Sequence, residues 1–258
     1  MRAFRHASRL ACRPGLAGPS KPLAAAGFRS KLRIRAGGMG VRGATAEFLL
    51  PRRRLAERLT RLGLRDARVL EALASVPRHR LVAEALRGQA YRDASLPIGD
   101  GQTISAPSMV ALMSEALELE GHETVLEVGT GSGYQAAVLA RLGGRVISIE
   151  RLPKLAARAR QALDALGVSN VVVHLGDGTR GRPADAPFDA IAVTAGGPKV
   201  PAPLLAQLAP GGRLVGPFGP RGAQRLLRYR RSAAGGTRCE VLGQCNFVDL
   251  IGEHGWLG

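Results

Sequence analysis

The sequence predicts an α/β protein: a mostly parallel, twisted sheet with helices on both faces and an N-terminal helical cap. Three observations carry that expectation. Residues 125–150 read VLEVGTGSGYQAAVLARLGGRVISIE: an apolar run, a glycine turn, a helical pattern, a second apolar run and an acid, in that order. This is the layout of a nucleotide-binding βαβ unit. Downstream, apolar runs at 171–175, 188–193 and 213–218 alternate with helical stretches, which favours parallel strands covered on both sides. A chain of 258 residues that is 45% hydrophobic can also bury a sizeable core.

Taken in order, Phe48–Leu62 and Asp66–Val76 carry apolar residues at helical spacing, broken at Gly63 and stopped by Pro77. Leu81–Leu86 begins a short third helix, and these helices are expected to cap the carboxyl ends of the strands. Ser105–Leu119 reads as another helix, with Ser105 as N-cap and Pro107 inside the first turn. Val125–Val128 and Val146–Ile149 are the strands of the glycine unit, and Val171–Leu175 follows them. Phe188–Val193 is the fourth strand of that series, Val200–Leu208 a helix and Arg213–Phe218 the fifth strand. Cys239–Cys245 and Phe247–Ile251 read as closing strands.

The glycines at 129, 131 and 133 allow a tight turn and close approach of a ligand, which a Cβ would obstruct. Their spacing is G-x-G-x-G, not the G-x-G-x-x-G of dinucleotide sites, and no G-x-x-x-x-G-K-[ST] phosphate loop occurs. Glu127, just before the turn, would repel a pyrophosphate but suits a cation. Glu150, at the end of the second strand, can accept both hydroxyls of a ribose. S-adenosylmethionine, with its ammonium, sulfonium and ribose, fits all three features. Asp177, in a Gly-Asp-Gly turn about 27 residues after Glu150, lies where it can accept from an adenine amine.

The formal charge is +17, but residues 1–45 hold ten of the basic side chains and no acid, leaving +7 to the remainder. This extension has no sustained periodicity and reads as disordered; translation from Met39 is an alternative start. Residues 46–258 form the expected single domain, of which 46–120 is the cap and substrate segment. No apolar run approaches the ~18–20 residues that span a membrane. Nor does the N-terminus carry a secretion-type apolar core, so a cytoplasmic protein is expected. His79, His122, His174 and His254 are dispersed, and neither they nor the three cysteines have metal-ligand spacing. No metal is expected.

A second motif, YRDASLPIGDGQTISAP, occupies residues 91–107. Together with VPRHRLV (76–82), the glycine unit, GDGTRG (176–181), APFDAIAVTAG (186–196), VPAPLLAQLAPGGRLVGPFG (200–219) and FVDLIGEHGW (247–256), it makes the chain similar to the protein-L-isoaspartate O-methyltransferase family. The resemblance implies a Rossmann-like class I methyltransferase. It implies transfer of a methyl from S-adenosylmethionine, leaving S-adenosylhomocysteine, to the α-carboxylate of L-isoaspartyl and D-aspartyl residues in aged peptides and proteins. The ester then returns spontaneously to a succinimide, so some molecules reopen as normal aspartate.

Carried over by position, the resemblance puts Glu127, Gly129, Thr130, Gly131 and Gly133 around the methionine part of the cofactor. It puts Glu150 at the ribose, and Asp177 with Gly178 at the adenine. Ser105 matches the active-site serine, and Thr103, Ile104, Val248 and Leu250, with Phe247, would line the peptide groove. Such an enzyme is expected to act as a monomer, without a membrane or nucleic acid as partner. Asp249 departs from the family's usual proline, Arg182 from tryptophan, Leu81 from phenylalanine and Ala106 from a frequent glutamine. Two readings stay open: a relative acting on an aspartate of a dedicated peptide or protein partner, and a nucleic-acid binder using the basic extension and Arg221, Arg225, Arg228, Arg230 and Arg231. The second would lose binding steeply with salt.

Overall fold

The computed structural model describes residues 47–258; the basic extension expected over residues 1–45 lies outside the described residues. A small antiparallel hairpin, β1 (Leu96–Gly99) and β2 (Gln102–Ile104), stands apart from a seven-stranded sheet. The strands of that sheet are β3 (Thr124–Val128), β4 (Arg145–Glu150), β5 (Val171–Leu175), β6 (Phe188–Val193), β7 (Leu208–Phe218), β8 (Gln224–Arg231) and β9 (Thr237–Cys245). They lie in the order β5-β4-β3-β6-β7-β8-β9, parallel from β5 through β7 and antiparallel for the last two. The chain runs outward from β3 to β5 and then returns to β6 on the other side of β3. A crevice opens at that reversal, at the carboxyl ends of the strands.

Strand alternation divides the core into two layers. Val125, Val146, Ala190, Ala192 and Val215 face one side and pack with α1 (Leu49–Arg61), α2 (Ala67–Ser75), α3 (Pro107–Ala116), α4 (Tyr134–Leu142) and α5 (Pro153–Ala165). Leu126, Ile147, Ile191 and Leu214 face the other side, which α6 (Ala202–Ala206) covers with Leu204 and Leu205. The pairing Val125↔Val146 and Leu126↔Ile147 keeps each set on its own face, as the two-residue period requires.

Several elements differ from expectation. Helices α1–α3 do not stand over the strand ends; they share the first layer, α2 packing on α4 and α3 on α4 and β7. The hairpin and the first turn of α3 reach the crevice instead. Leu81–Leu86 is not an α-helix; after a 3-10 turn at Arg78–Arg80 the chain is irregular and then enters a second 3-10 turn, Glu84–Gln89. Phe247–Ile251 is not a sheet strand but a strap joined to the loop after β6 by single bridges. Strand β8 went unread because its arginines mask its apolar residues. Leu226, Leu227 and Tyr229 are buried, while Arg228 pairs with Glu118 (2.9 Å) and Glu240 (2.6 Å), and Arg230 also pairs with Glu118. Arg231 donates to the carbonyls of Ala206 (3.3 Å) and Leu208 (2.5 Å). Most of that arginine run is thus consumed inside the fold.

The start of α3 is the correction that matters most for function. Ala106, not Ser105, is the N-cap, and the helix makes no cap bond from its own N-cap side chain. Asp93, fifteen residues upstream, does that work: its Oδ1 accepts from the Ser108 backbone N–H at 2.9 Å. Ser105 lies one residue too early and is left free of a structural task. In urea unfolding, Asp93→Ala is therefore expected to cost about 1 kcal/mol, as loss of a helix cap does. Ser105→Ala should stay within about 0.5 kcal/mol of the parent. Equal losses in the two variants would return the capping role to Ser105.

Candidate active site

The floor of the crevice is the turn between β3 and α4. Gly129 and Gly131 take φ of +99° and +53°, a region where side chains are strained. Space is also closed at Gly129: a Cβ there would come within 2.5 Å of Thr194 Oγ1. That hydroxyl donates to the carbonyls of Val128 (2.9 Å) and Gly129 (2.6 Å), tying the turn to the end of β6. Gly133, at φ +83°, opens α4 and packs on Leu163; it stands behind the crevice and does not line it.

Glu127 lies beneath the turn with no exposed surface. Ser148 Oγ donates to its Oε2 and sits 2.5 Å from Thr130 Oγ1, so the acid is linked to the turn through two hydroxyls. Its Oε1 has no partner. Burial raises this carboxyl to about 8; the Ser148 bond opposes the shift and the charge of Glu150 adds to it. At neutral pH burial keeps this acid protonated, and a cation beside it would favour its ionised form.

Glu150 closes the end of β4. Its Oε2 accepts from the Gly131 N–H at 2.8 Å and its Oε1 from the Leu152 N–H at 3.0 Å. Each carboxylate oxygen retains a further lone pair, so the side chain is both fixed in place and able to accept from a ligand.

Two other segments complete the crevice. From the hairpin come Thr103, Ile104 and Ser105; from the strap come Val248, Asp249 and Leu250; Gly178 closes the side by β5. Among the described residues the Ser105 hydroxyl makes no hydrogen bond, although the residue is half-buried. The strap is clamped at several points. The Gly196 N–H donates to Val248 O (2.7 Å) and Gly196 O accepts from the Leu250 N–H (2.9 Å) and from Trp256 Nε1 (2.9 Å). The buried Gln224 amide accepts from the Phe247 N–H (2.8 Å) and donates to Phe247 O (3.3 Å).

Thr103, Ile104, Ser105, Gly129, Thr130, Gly131, Glu150, Gly178, Val248 and Leu250, read from the sequence, thus meet in one cleft. Asp177 does not line it. Its Oδ1 accepts from the Thr179 N–H (2.9 Å) and hydroxyl (2.7 Å), and its Oδ2 from the Glu253 N–H (2.8 Å), pinning the strap's end. Sequence reasoning missed Arg151, Leu152, Gln135, Thr194 and Ala195, all of which line the cleft. Thr194 and Ala195 directly follow the strand expected over 188–193, so the rule that ligands sit past strand carboxyl ends could have found them. Gln135 leaves its Oε1 buried and unpartnered, as Glu127 does. His79 takes a structural role: it is stacked 4.1 Å from Phe48, lies 2.7 Å from Tyr91 Oη and is lowered by burial to about 4. Among the described residues no group of three or more His, Cys, Asp or Glu is placed to hold a metal.

The family model for protein-L-isoaspartate(D-aspartate) O-methyltransferase matches residues 51–255. The chain belongs to this family. It is 60% identical over 196 residues to protein-L-isoaspartate O-methyltransferase 1 of Syntrophobacter fumaroxidans, covering 76% of this chain and 91% of that one. It is 54% identical to protein-L-isoaspartate O-methyltransferase 2 of Geotalea uraniireducens, over 81% and 97% of the two chains. A solved protein-L-isoaspartate O-methyltransferase superposes with TM-score 0.71 at 30% identity, over 79% of this chain and 67% of that one. A Plasmodium falciparum structure assigned to the same enzyme, in complex with S-adenosyl-L-homocysteine, superposes with TM-score 0.67 at 26% identity, over 78% and 98%. Membership makes this chain an S-adenosylmethionine-dependent methyltransferase of isoaspartyl residues. The fold is accordingly a Rossmann-like class I methyltransferase.

Glu127 links the site to pH. Its folded value near 8 lies far above the ~4.3 of an unfolded glutamate. Between those values the native state holds a proton that the unfolded chain has lost, so this group's contribution to stability falls as pH rises. In the cofactor-free protein, the unfolding free energy of the parent should fall relative to Glu127→Gln from about pH 5 to about pH 8 and then level off. Parallel pH profiles in urea titrations would remove Glu127 from this role.

Proposed function

We propose that the cleft holds S-adenosylmethionine along the turn from Gly129 to Gly131. Glu150 then accepts from the ribose hydroxyls and Gly178 lies against the adenine. Asp177 serves that end indirectly, by fixing the strap that faces it. Glu127 supports the cationic end from below, through Ser148 and Thr130. The residues fit this ligand: the turn is closed to any Cβ at Gly129, and two buried oxygens, Glu127 Oε1 and Gln135 Oε1, lack partners on this side of the fold. When bound, S-adenosylmethionine supplies a methyl already activated by a sulfonium.

The protein's own task is positional. The acceptor carboxylate is ionised at neutral pH and needs no base. Holding its oxygen in line with the methyl accounts for several kcal/mol of rate enhancement. The observation that carries this reading is the Ser105 hydroxyl, which lines the same cleft as the glycine turn and has no partner among the described residues. It donates to the isoaspartyl α-carboxylate, while Thr103, Ile104, Val248 and Leu250 bound the groove for the peptide. One carboxylate oxygen forms the new bond to the methyl carbon as the carbon–sulfur bond breaks, giving an ester and S-adenosylhomocysteine. D-aspartyl residues present the same groups and belong to the same substrate class. An enzyme that must admit varied surface segments works best as a monomer in the compartment where proteins age, which we take to be the cytoplasm.

The test is transfer of labelled methyl to matched peptides containing isoaspartate or aspartate. Base-labile label is expected on the isoaspartyl peptide alone. Ser105→Ala should lower kcat about 10- to 100-fold, the effect of a lost orienting contact, with affinity for S-adenosylhomocysteine retained. Label on neither peptide, with the cofactor bound, would move the acceptor to an aspartate of a dedicated partner.

A further inference from the structure

One charged residue in the cleft wall is unexplained by the activity itself. Asp249 sits in the strap between Val248 and Leu250 and lines the cleft that must receive a carboxylate. An acid there repels the substrate's own charge. Its Oδ2 is held by Arg221, with Nε and Nη2 both at 2.7 Å. Arg221 belongs to a different part of the chain, the turn between β7 and β8. That turn is closed by the Ala223 N–H donating to Pro220 O at 3.0 Å, with Gly222 at φ +74°. A turn needing a positive φ at its third position takes glycine there, so Arg221 projects from a fixed tip. Its guanidinium also lies over the ring of Trp256, 4.4 Å from the centroid, and that indole donates to Gly196.

We propose that Arg221 is a specificity-determining residue of the acceptor groove: it masks Asp249 so that a carboxylate can enter. The inference rests on the acceptor reading given above and adds how this chain tolerates an acid in the groove wall. Two donors on one oxygen, and an aromatic face beneath the guanidinium, hold the cation in place. Removing it leaves Asp249 as an uncompensated negative charge beside the incoming one. Like charges several ångströms apart near a protein surface repel by enough to weaken binding roughly tenfold.

The experiment compares the parent chain, Arg221→Ala, Asp249→Asn and the double variant, using an isoaspartyl peptide and labelled S-adenosylmethionine. Trp256 is the chain's single tryptophan, so its fluorescence also reports peptide binding without turnover, in the presence of S-adenosylhomocysteine. Arg221→Ala is expected to raise KM and the peptide Kd about tenfold, with kcat changed less than about twofold, and high salt should shrink the effect. Adding Asp249→Asn should restore binding to within about threefold of the parent, and Asp249→Asn alone should not weaken it. A double variant as weak as Arg221→Ala would overturn the proposal, since the arginine would then matter for the strap and not for the charge. Parent-like binding by Arg221→Ala would overturn it too. If Arg221→Ala does not fold, Arg221→Gln and the single Asp249→Asn carry the same comparison. Failure of the acceptor reading is separate: it shows as no label and no isoaspartyl preference in the parent chain itself.

Discussion

The site depends on the pair of backbone hydrogen bonds that lay the C-terminal strap along Gly196. The Gly196 N–H and C=O engage Val248 and Leu250 on either side of Asp249, extending the edge of β6 by one bridge. This contact, with the clamps at Phe247 and Glu253, brings residues 247–251 to the carboxyl ends of β3 and β6, some fifty residues away in sequence from Gly196. A side chain at 196 would not fit, since its Cβ would fall 2.1 Å from the Gln224 amide. Gln224 in turn holds the Phe247 backbone at both its N–H and its carbonyl. The strap that carries this wall of the groove is therefore held by main chain and one buried amide. Such a wall can match an extended peptide without reading its side chains, which suits an enzyme whose targets share only a damaged linkage.

Charge is managed by the same economy. The chain is strongly basic overall, yet much of the cationic surface in the described residues is tied down. Arg228 and Arg230 converge on Glu118, Arg180 meets Glu253, and Arg68 donates to the carbonyls of Leu119 and Leu142 where α3 and α4 end. Arg78, fully buried, donates to Ala90 and Ala94 and lies over the Tyr134 ring. Among the described residues, these arginines close helix ends and brace strands. In the cleft the balance is reversed, with Glu127 and Glu150 placed where a cation is wanted.

Much of the fold was legible because it rests on local pattern. Glycines 129, 131 and 133 allow the tight turn that the structure forms at positive φ, and the runs 125–128, 146–149, 171–175 and 188–193 alternate with helices. The errors share one cause. Asp93 caps α3 from across the hairpin, whereas residue type and spacing around Ser105 point only to a local cap. Strand β8 was hidden because its arginines find acids on α3's end and on β9, a solution visible only once those elements are adjacent. Phe247–Ile251 was read as a strand from its residues, but its partner is the loop after β6, which offers a single bridge.

The sequence by itself determined the parallel strands, the glycine turn, the acid at the end of β4 and the family, because each depends on residue type at short spacing. The tertiary structure decided what those residues do with their spare valences. It turned Asp177 toward the strap, left the Ser105 hydroxyl free, buried Glu127 beneath the turn and set Arg221 against Asp249. Burial and hydrogen-bond partnership depend on which distant segments the topology brings together, and no local pattern encodes that.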